Sequence, residues 1–153
     1  MTSYELELDH QVPAALDRVW QAWTTKEGLQ RWWWPGWSPT ITVDFRVGGA
    51  YRIEATGQHI AVHGSYRLIE PPTPAGGPAR LGFSWIWVDA VGTPQQESGP
   101  EESVDVTFTA VGSGTAIVLR HTGDWHSPEP AANYRLGWES VLQKLSETIR
   151  PAG

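Results

Sequence analysis

The C-terminal stretch constrains the fold of this chain more than any other. Between about Pro130 and Ile149, the residues Tyr134, Trp138, Val141, Leu142, Leu145 and Ile149 recur at spacings of three and four, which places them on one stripe of a helix. That apolar stripe has to be covered by whatever precedes it. Gly137 lies within it, and a glycine inside a helix costs about 1 kcal/mol relative to alanine. It is therefore expected to make room for a strand, a ring or a ligand.

The rest of the chain reads mainly as strands. Tyr4 to His10 alternates apolar and acidic residues, the pattern of a strand with one wet face. Pro13 opens a helix through Trp23, with Leu16, Val19, Trp20 and Trp23 at helical spacing. Thr24 or Thr25 caps a second short helix, Lys26 to Trp33, which Pro35-Gly36 ends. Strands follow at Thr40–Phe45, Ala50–Ala55, Ile60–Glu70 and Leu81–Val88. A further strand carries Val104, Val106 and Phe108 on one face, and the last runs from Thr115 to His121. Gly48-Gly49 and Gly112-Ser113-Gly114 are turn signals, and Pro71–Pro78 and Ala90–Glu101 read as loops. Connections of hairpin length make the sheet antiparallel. The expected class is α+β: a curved antiparallel sheet of about six or seven strands around a long C-terminal helix, with two short helices after the first strand. At 153 residues, with no repeat and no linker, residues 1–153 are expected to form one domain.

Composition removes several function classes. Charged residues are 18% and hydrophobic residues 40%, which excludes a disordered chain. A net charge of −6, with no run of Lys or Arg, argues against nucleic acid as a partner. No apolar stretch approaches the roughly 20 residues of a membrane span. The opening Met1-Thr2-Ser3-Tyr4-Glu5 lacks the features of a secretory signal, so a cytoplasmic location is expected. Arg, Ala, Gly and Pro are common, in keeping with a bacterial source. Without cysteine there is no thiolate nucleophile or zinc-thiolate site. The histidines His10, His59, His63, His121 and His126 form no helical metal pair, and neither a phosphate-binding glycine loop nor a dinucleotide fingerprint is present. No metal and no cofactor is expected. Inward faces with almost no carboxylates leave glycoside hydrolysis without its acid pair.

Ten tryptophans are more than a small core needs. Trp32, Trp33, Trp37, Tyr66, Trp85, Tyr134 and Trp138 come from a short helix, strands and the long helix, so their rings can converge on a cavity with aromatic walls. Phe83 and Trp87 share the Trp85 face and join the candidate ligand-binding set. His121, on the face of Ile117 and Leu119, points inward, either as a ligand contact or general base or as a residue that satisfies loop groups. His121 and Tyr66 are the candidate catalytic residues. His63 is expected to face outward, the Asp124–His126 pair to cap a turn, and Arg52, Glu54 and Arg46 to pair on the surface.

The run Val12-Pro13-Ala14-Ala15-Leu16-Asp17-Arg18-Val19-Trp20-Gln21-Ala22-Trp23-Thr24 resembles the opening of the heat-shock protein 90 ATPase activator homologue-like family. Arg31-Trp32-Trp33-Trp34-Pro35, Val47-Gly48-Gly49-Ala50-Tyr51-Arg52, Ile69-Glu70-Pro71-Pro72, Phe83-Ser84-Trp85, His121-Thr122-Gly123 and Gly137-Trp138 follow in the family's order. The third consecutive tryptophan, Trp34, and the two extended loops depart from the usual pattern. The resemblance implies the helix-grip fold of the START/SRPBCC superfamily, that of the birch-pollen allergen. Function does not follow from such a fold. Three readings stand in this order: a binder of a small hydrophobic or aromatic molecule in a cavity between sheet and helix, acting as carrier, sensor or sequestering protein; a polyketide aromatase/cyclase-like enzyme using His121 and Tyr66; and a co-chaperone-type interaction domain. Exposed aromatics such as Trp37 or Trp125 would mark a homodimer interface, so the chain is expected to be a monomer or homodimer.

Overall fold

In the computed structural model, which describes residues 4–74, 78–89 and 100–149, seven antiparallel strands form one sheet in the order β1-β7-β6-β5-β4-β3-β2. The strands are β1 (Glu5–Val12), β2 (Thr40–Val43), β3 (Ala50–Ala55), β4 (Ile60–Glu70), β5 (Ala79–Val88), β6 (Glu102–Val111) and β7 (Gly114–Thr122). Helices α1 (Leu16–Thr24) and α2 (Lys26–Trp32) and a 3-10 turn at Pro35–Trp37 connect β1 to β2, and the long helix α3 spans Glu129–Thr148. This is the helix-grip fold. Residues 75–77 of the Pro71–Pro78 loop and 90–99 of the Ala90–Glu101 loop lie outside the described residues.

Pleat parity sets the inward face. Leu6, Leu8 and Val12 of β1, Val104, Val106 and Phe108 of β6, and Ile117, Leu119 and His121 of β7 are buried, while alternate residues such as Glu5, Glu7, Asp105 and Arg120 face water. Helix α1 starts at Leu16 rather than at Pro13, and β2 stops at Val43, leaving Phe45 to pack on Trp20 and Tyr66 outside the ladder. Thr25 caps α2, its Oγ1 accepting from the Gly28 N–H at 2.9 Å. Gly112 adopts φ +59° in the tight β6–β7 hairpin, and Gly48 adopts φ +85° before β3, conformations that suit glycine.

Helix α3 buries Trp138, Val141, Leu142 and Leu145 against the sheet and α2. Its C-terminal half is tied to β1 by His10 Nε2 and Ser146 Oγ at 2.6 Å, and its N-terminal half by the Arg135 guanidinium, which donates to the Glu7 carbonyl at 2.9 Å. Burial pushes the pKa of His10 down, more than its backbone hydrogen bond raises it.

Gly137 does not sit under a strand or a ring. An added Cβ there would meet nothing within 4 Å, and the residue is exposed. Gly64 of β4 is the opposite case, since a Cβ would lie 2.1 Å from the Ser84 carbonyl oxygen. Gly137→Ala is therefore expected to stabilise the protein by about 0.5–1 kcal/mol, raising Tm by about 1–4 °C. Gly64→Ala is expected to lower Tm markedly. Thermal unfolding followed by circular dichroism checks both, and a drop in Tm for Gly137→Ala would contradict the open helix face.

Candidate functional site

Strand β5 supplies the floor of the candidate site. Its alternation puts Phe83, Trp85 and Trp87 on one face; Phe83 and Trp85 are buried, Trp85 at 4% exposed, and Trp87 is half-buried. Across from them, the end of α2 and the 3-10 turn bring in Trp33 and Trp34. The five indoles of Trp33, Trp34, Trp87, Trp85 and Trp138 close a circuit, with successive ring centroids 5.9, 5.8, 6.4, 5.2 and 5.4 Å apart. Most of these pairs are tilted or edge-to-face, the favoured geometries for aromatic contacts.

This circuit lines a cleft of about 530 Å³, whose far wall is α3 from its start to Val141: Glu129, Pro130, Asn133, Tyr134, Gly137 and Val141, with Ser127 just before it. Gly137 leaves that wall bare, with nothing within 4 Å of where a Cβ would stand. The deep space between sheet and helix is different. Trp23, Trp32 and Phe108 fill it, leaving a void of about 30 Å³ lined by Trp23, Trp33, Tyr66, Phe83 and Trp85 among others. The roomy space is thus at the end of the sheet, not in its middle.

The sequence candidates divide accordingly. Trp33, Trp85, Trp87, Tyr134 and Trp138 line the cleft. Tyr66 and Phe83 line the small void. Trp32 is fully buried and donates its Nε1–H to the Ala22 carbonyl at 2.9 Å, so it is core. Trp37 is 45% exposed and packs on Trp34 outside the cleft. Trp34, Ser127, Glu129 and Asn133 line the cleft and were not among the ligand-binding candidates drawn from sequence, where Trp34 stood out only as a departure from the family pattern. Trp34 adopts a left-handed conformation (φ 49°, ψ 48°), which costs about 1–2 kcal/mol for a residue with a Cβ. Its contacts with Trp33, Trp37 and Trp87 hold it there.

Behind the cleft wall lies a polar relay. His121 is fully buried, and its Nδ1 accepts from the Trp138 Nε1–H at 3.1 Å. An indole N–H only donates, so Nδ1 carries no proton in this arrangement, and Nε2 donates to Glu102 Oε1 at 2.9 Å. Glu102 Oε2 accepts from the Trp125 Nε1–H at 2.9 Å, and its carboxylate also accepts from Tyr134. His121 therefore satisfies side chains, not the loop backbone expected from sequence. Glu102 is an inward carboxylate where almost none was expected; it shares the parity of Val104, Val106 and Phe108, and that parity was the signal for it. His121 does not line the cleft or meet Tyr66, whose partners are Phe45 and Tyr51.

Burial pushes the Glu102 carboxyl up, but the hydrogen bonds from His121, Trp125 and Tyr134 outweigh it and hold its pKa below the usual value. Burial raises the pKa of Tyr134, and the neighbouring Glu102 charge raises it further; burial alone raises that of Tyr66. Both phenols are neutral at pH 7. The Nε1–H groups of Trp23 and Trp33 are buried with no partner among the described residues.

The remaining candidates are on the surface. Asp124 and His126 are 3.9 Å apart and almost fully exposed. Arg52 and Glu54 pair at 2.9 Å along one strand rather than across two, Arg46 pairs with Asp44, and His63 is half-buried opposite Arg52 and Ile86. No group of three or more His, Cys, Asp or Glu suited to a metal occurs among the described residues, and no helix among them is long and apolar enough to cross a membrane.

A family model described as activator of Hsp90 ATPase homolog 1-like protein matches residues 13–150. Among solved structures, protein CV1439 from Chromobacterium violaceum is 25% identical, with 96% of this chain and 97% of that one covered and a TM-score of 0.74. DynU16, a protein of the dynemicin biosynthetic locus, is 21% identical with a TM-score of 0.73; 94% of this chain is covered but only 46% of that one, so this chain spans about half of DynU16. The Aha1 dimer from Colwellia psychrerythraea is 19% identical, with 98% and 97% covered and a TM-score of 0.68. No curated protein matches the sequence.

Because the folded pKa of Glu102 is depressed, its carboxylate contributes stability that is complete above the unfolded value near 4.5 and is lost as pH falls through the lower folded value. Glu102→Gln is expected to be less stable at pH 7 and to show a shallower loss of stability below pH 4.5 than the parent. Urea titrations from pH 7 down to pH 3 measure this, and an unchanged acid slope in the variant would remove Glu102 from the relay.

Proposed function

The chain belongs to the activator of Hsp90 ATPase homolog 1-like family, and from that premise we propose that it binds a small flat hydrophobic or aromatic molecule in the cleft between β5, the α2 corner and α3. The observation that carries this reading is the circuit of five indoles around a space of about 530 Å³, a volume within the range of small-molecule sites. Filling it removes aromatic surface from water at about 25 cal/mol per Å², and the walls are fixed in advance by mutual ring contacts, so little ordering entropy opposes binding. A protein of the same fold in a biosynthetic locus is in keeping with a small-molecule ligand.

Binding without turnover fits the two catalytic candidates, His121 and Tyr66, better than catalysis does. A cyclase-type step needs a base facing the substrate. Both His121 nitrogens are engaged with Trp138 and Glu102, and the Tyr66 phenol borders the separate small void. The reading is therefore of a carrier, sensor or sequestering protein.

Titration with polycyclic, polyketide-like and fatty-acid ligands is expected to quench tryptophan fluorescence saturably for a flat aromatic class. Trp34→Leu and Trp87→Leu, at half-buried wall positions, are each expected to weaken binding about tenfold with folding intact, the loss of about 1.4 kcal/mol of ring contact. A flat response to every ligand class would refute the proposal.

A further inference from the structure

Building on the binding reading, we infer that the cleft selects ligands that carry a positive charge on or beside a flat ring system, because the N–H groups of Trp85, Trp87 and Trp138 are already used within the protein and its charged rim group is a carboxylate. The Trp85 Nε1–H donates to the Tyr134 hydroxyl at 3.3 Å, the Trp138 Nε1–H to His121 at 3.1 Å, and the Trp87 Nε1–H to Asp89. The Tyr134 hydroxyl in turn bonds the Glu102 carboxylate. What these rings offer a ligand is their π-electron surface, and such faces attract cations. A carboxylate accepting an indole N–H pushes electron density into that ring, so Asp89 makes the Trp87 face more attractive to a cation.

The rim points the same way. Of the polar residues Ser127, Glu129 and Asn133, only Glu129 is charged, and no Lys, Arg or His is among the described residues that line the cleft. Two features oppose this. The cleft lies at the start of α3, whose macrodipole contributes about half a positive charge there. Pro128 and Pro130 remove two of the backbone N–H groups that would bind an anion, and Glu129 places a full negative charge in the same first turn. The second is the unpartnered Nε1–H of Trp33, one neutral donor set against a full carboxylate charge. The carboxylate decides the sign. The net charge of −6 adds to the attraction of cations at low ionic strength.

The test uses one naphthalene scaffold bearing a trimethylammonium, a hydroxyl or a carboxylate group, with affinities measured by calorimetry on the full chain at low salt. The cation is expected to bind about tenfold more tightly than the alcohol, and the carboxylate more weakly than either. Glu129→Gln, at an exposed position, is expected to cut the preference for the cation over the alcohol about threefold. Equal affinities for the three probes, or tightest binding of the carboxylate, would overturn the charge preference and leave the binding reading in place. Failure of all three to bind, together with a flat fluorescence response to the wider ligand panel, would overturn both. A Glu129→Gln variant with undiminished discrimination would overturn the role given to the rim carboxylate and, with it, the inference.

Discussion

The Trp138 indole is gripped from two directions, and the site depends on that grip. Its ring packs on Trp23, Trp33 and Trp85, which belong to α1, the end of α2 and β5. Its N–H is fixed by His121 on β7. The tilted and edge-to-face preferences of aromatic pairs are worth only about 0.5–1.5 kcal/mol each, so packing alone leaves an indole some freedom to turn. The hydrogen bond removes that freedom. Because Trp138 is two turns into α3, orienting its ring also fixes where the first half of the helix stands relative to β5, and hence the width of the cleft.

The relay behind Trp138 shows why burying a histidine and a glutamate is tolerable here. An unpartnered buried polar group costs about 1–3 kcal/mol, and a buried charge costs more. His121 and Glu102 leave none of their polar atoms idle, since Trp138, Trp125 and Tyr134 supply the complementary hydrogens. The same pairings withdraw these donors from the ligand side. The polar network that stabilises the wall thus leaves Trp138 and Tyr134 presenting ring surface to the cleft.

Filling of the interior by Trp20, Trp23, Trp32 and Phe108 displaces the useful space to the end of the sheet. A curved sheet and one helix enclose a volume that must be filled by side chains or left for a ligand, and four large rings from α1, α2 and β6 take most of it. The residual void, about 30 Å³, is far smaller than small-molecule sites. The third tryptophan of the Trp32-Trp33-Trp34 run then cannot enter the core, and its left-handed backbone carries it out over Trp87 as the cleft's outer wall.

Local rules fixed the fold from the sequence. Turn signals at Gly48-Gly49 and Pro71-Pro72 helped locate β3 and β4 to the residue, alternation ran β2 two residues too far, and three-to-four spacing located α3 to within a residue or two, because such patterns record where an element turns and which of its faces meets water. They also identified the rings of Trp33, Trp85, Trp87, Tyr134 and Trp138 that line the cleft. Only the tertiary structure separated Trp32, Tyr66 and Trp37 from them, and only it brought Trp34, Glu129 and Asn133 to the rim. The reason is geometric: periodicity says whether a residue faces in or out. Whether the space it faces is filled or empty depends on the placement of α3 across the sheet, which is set by contacts between residues more than a hundred positions apart, such as His10 with Ser146 and Arg135 with Glu7.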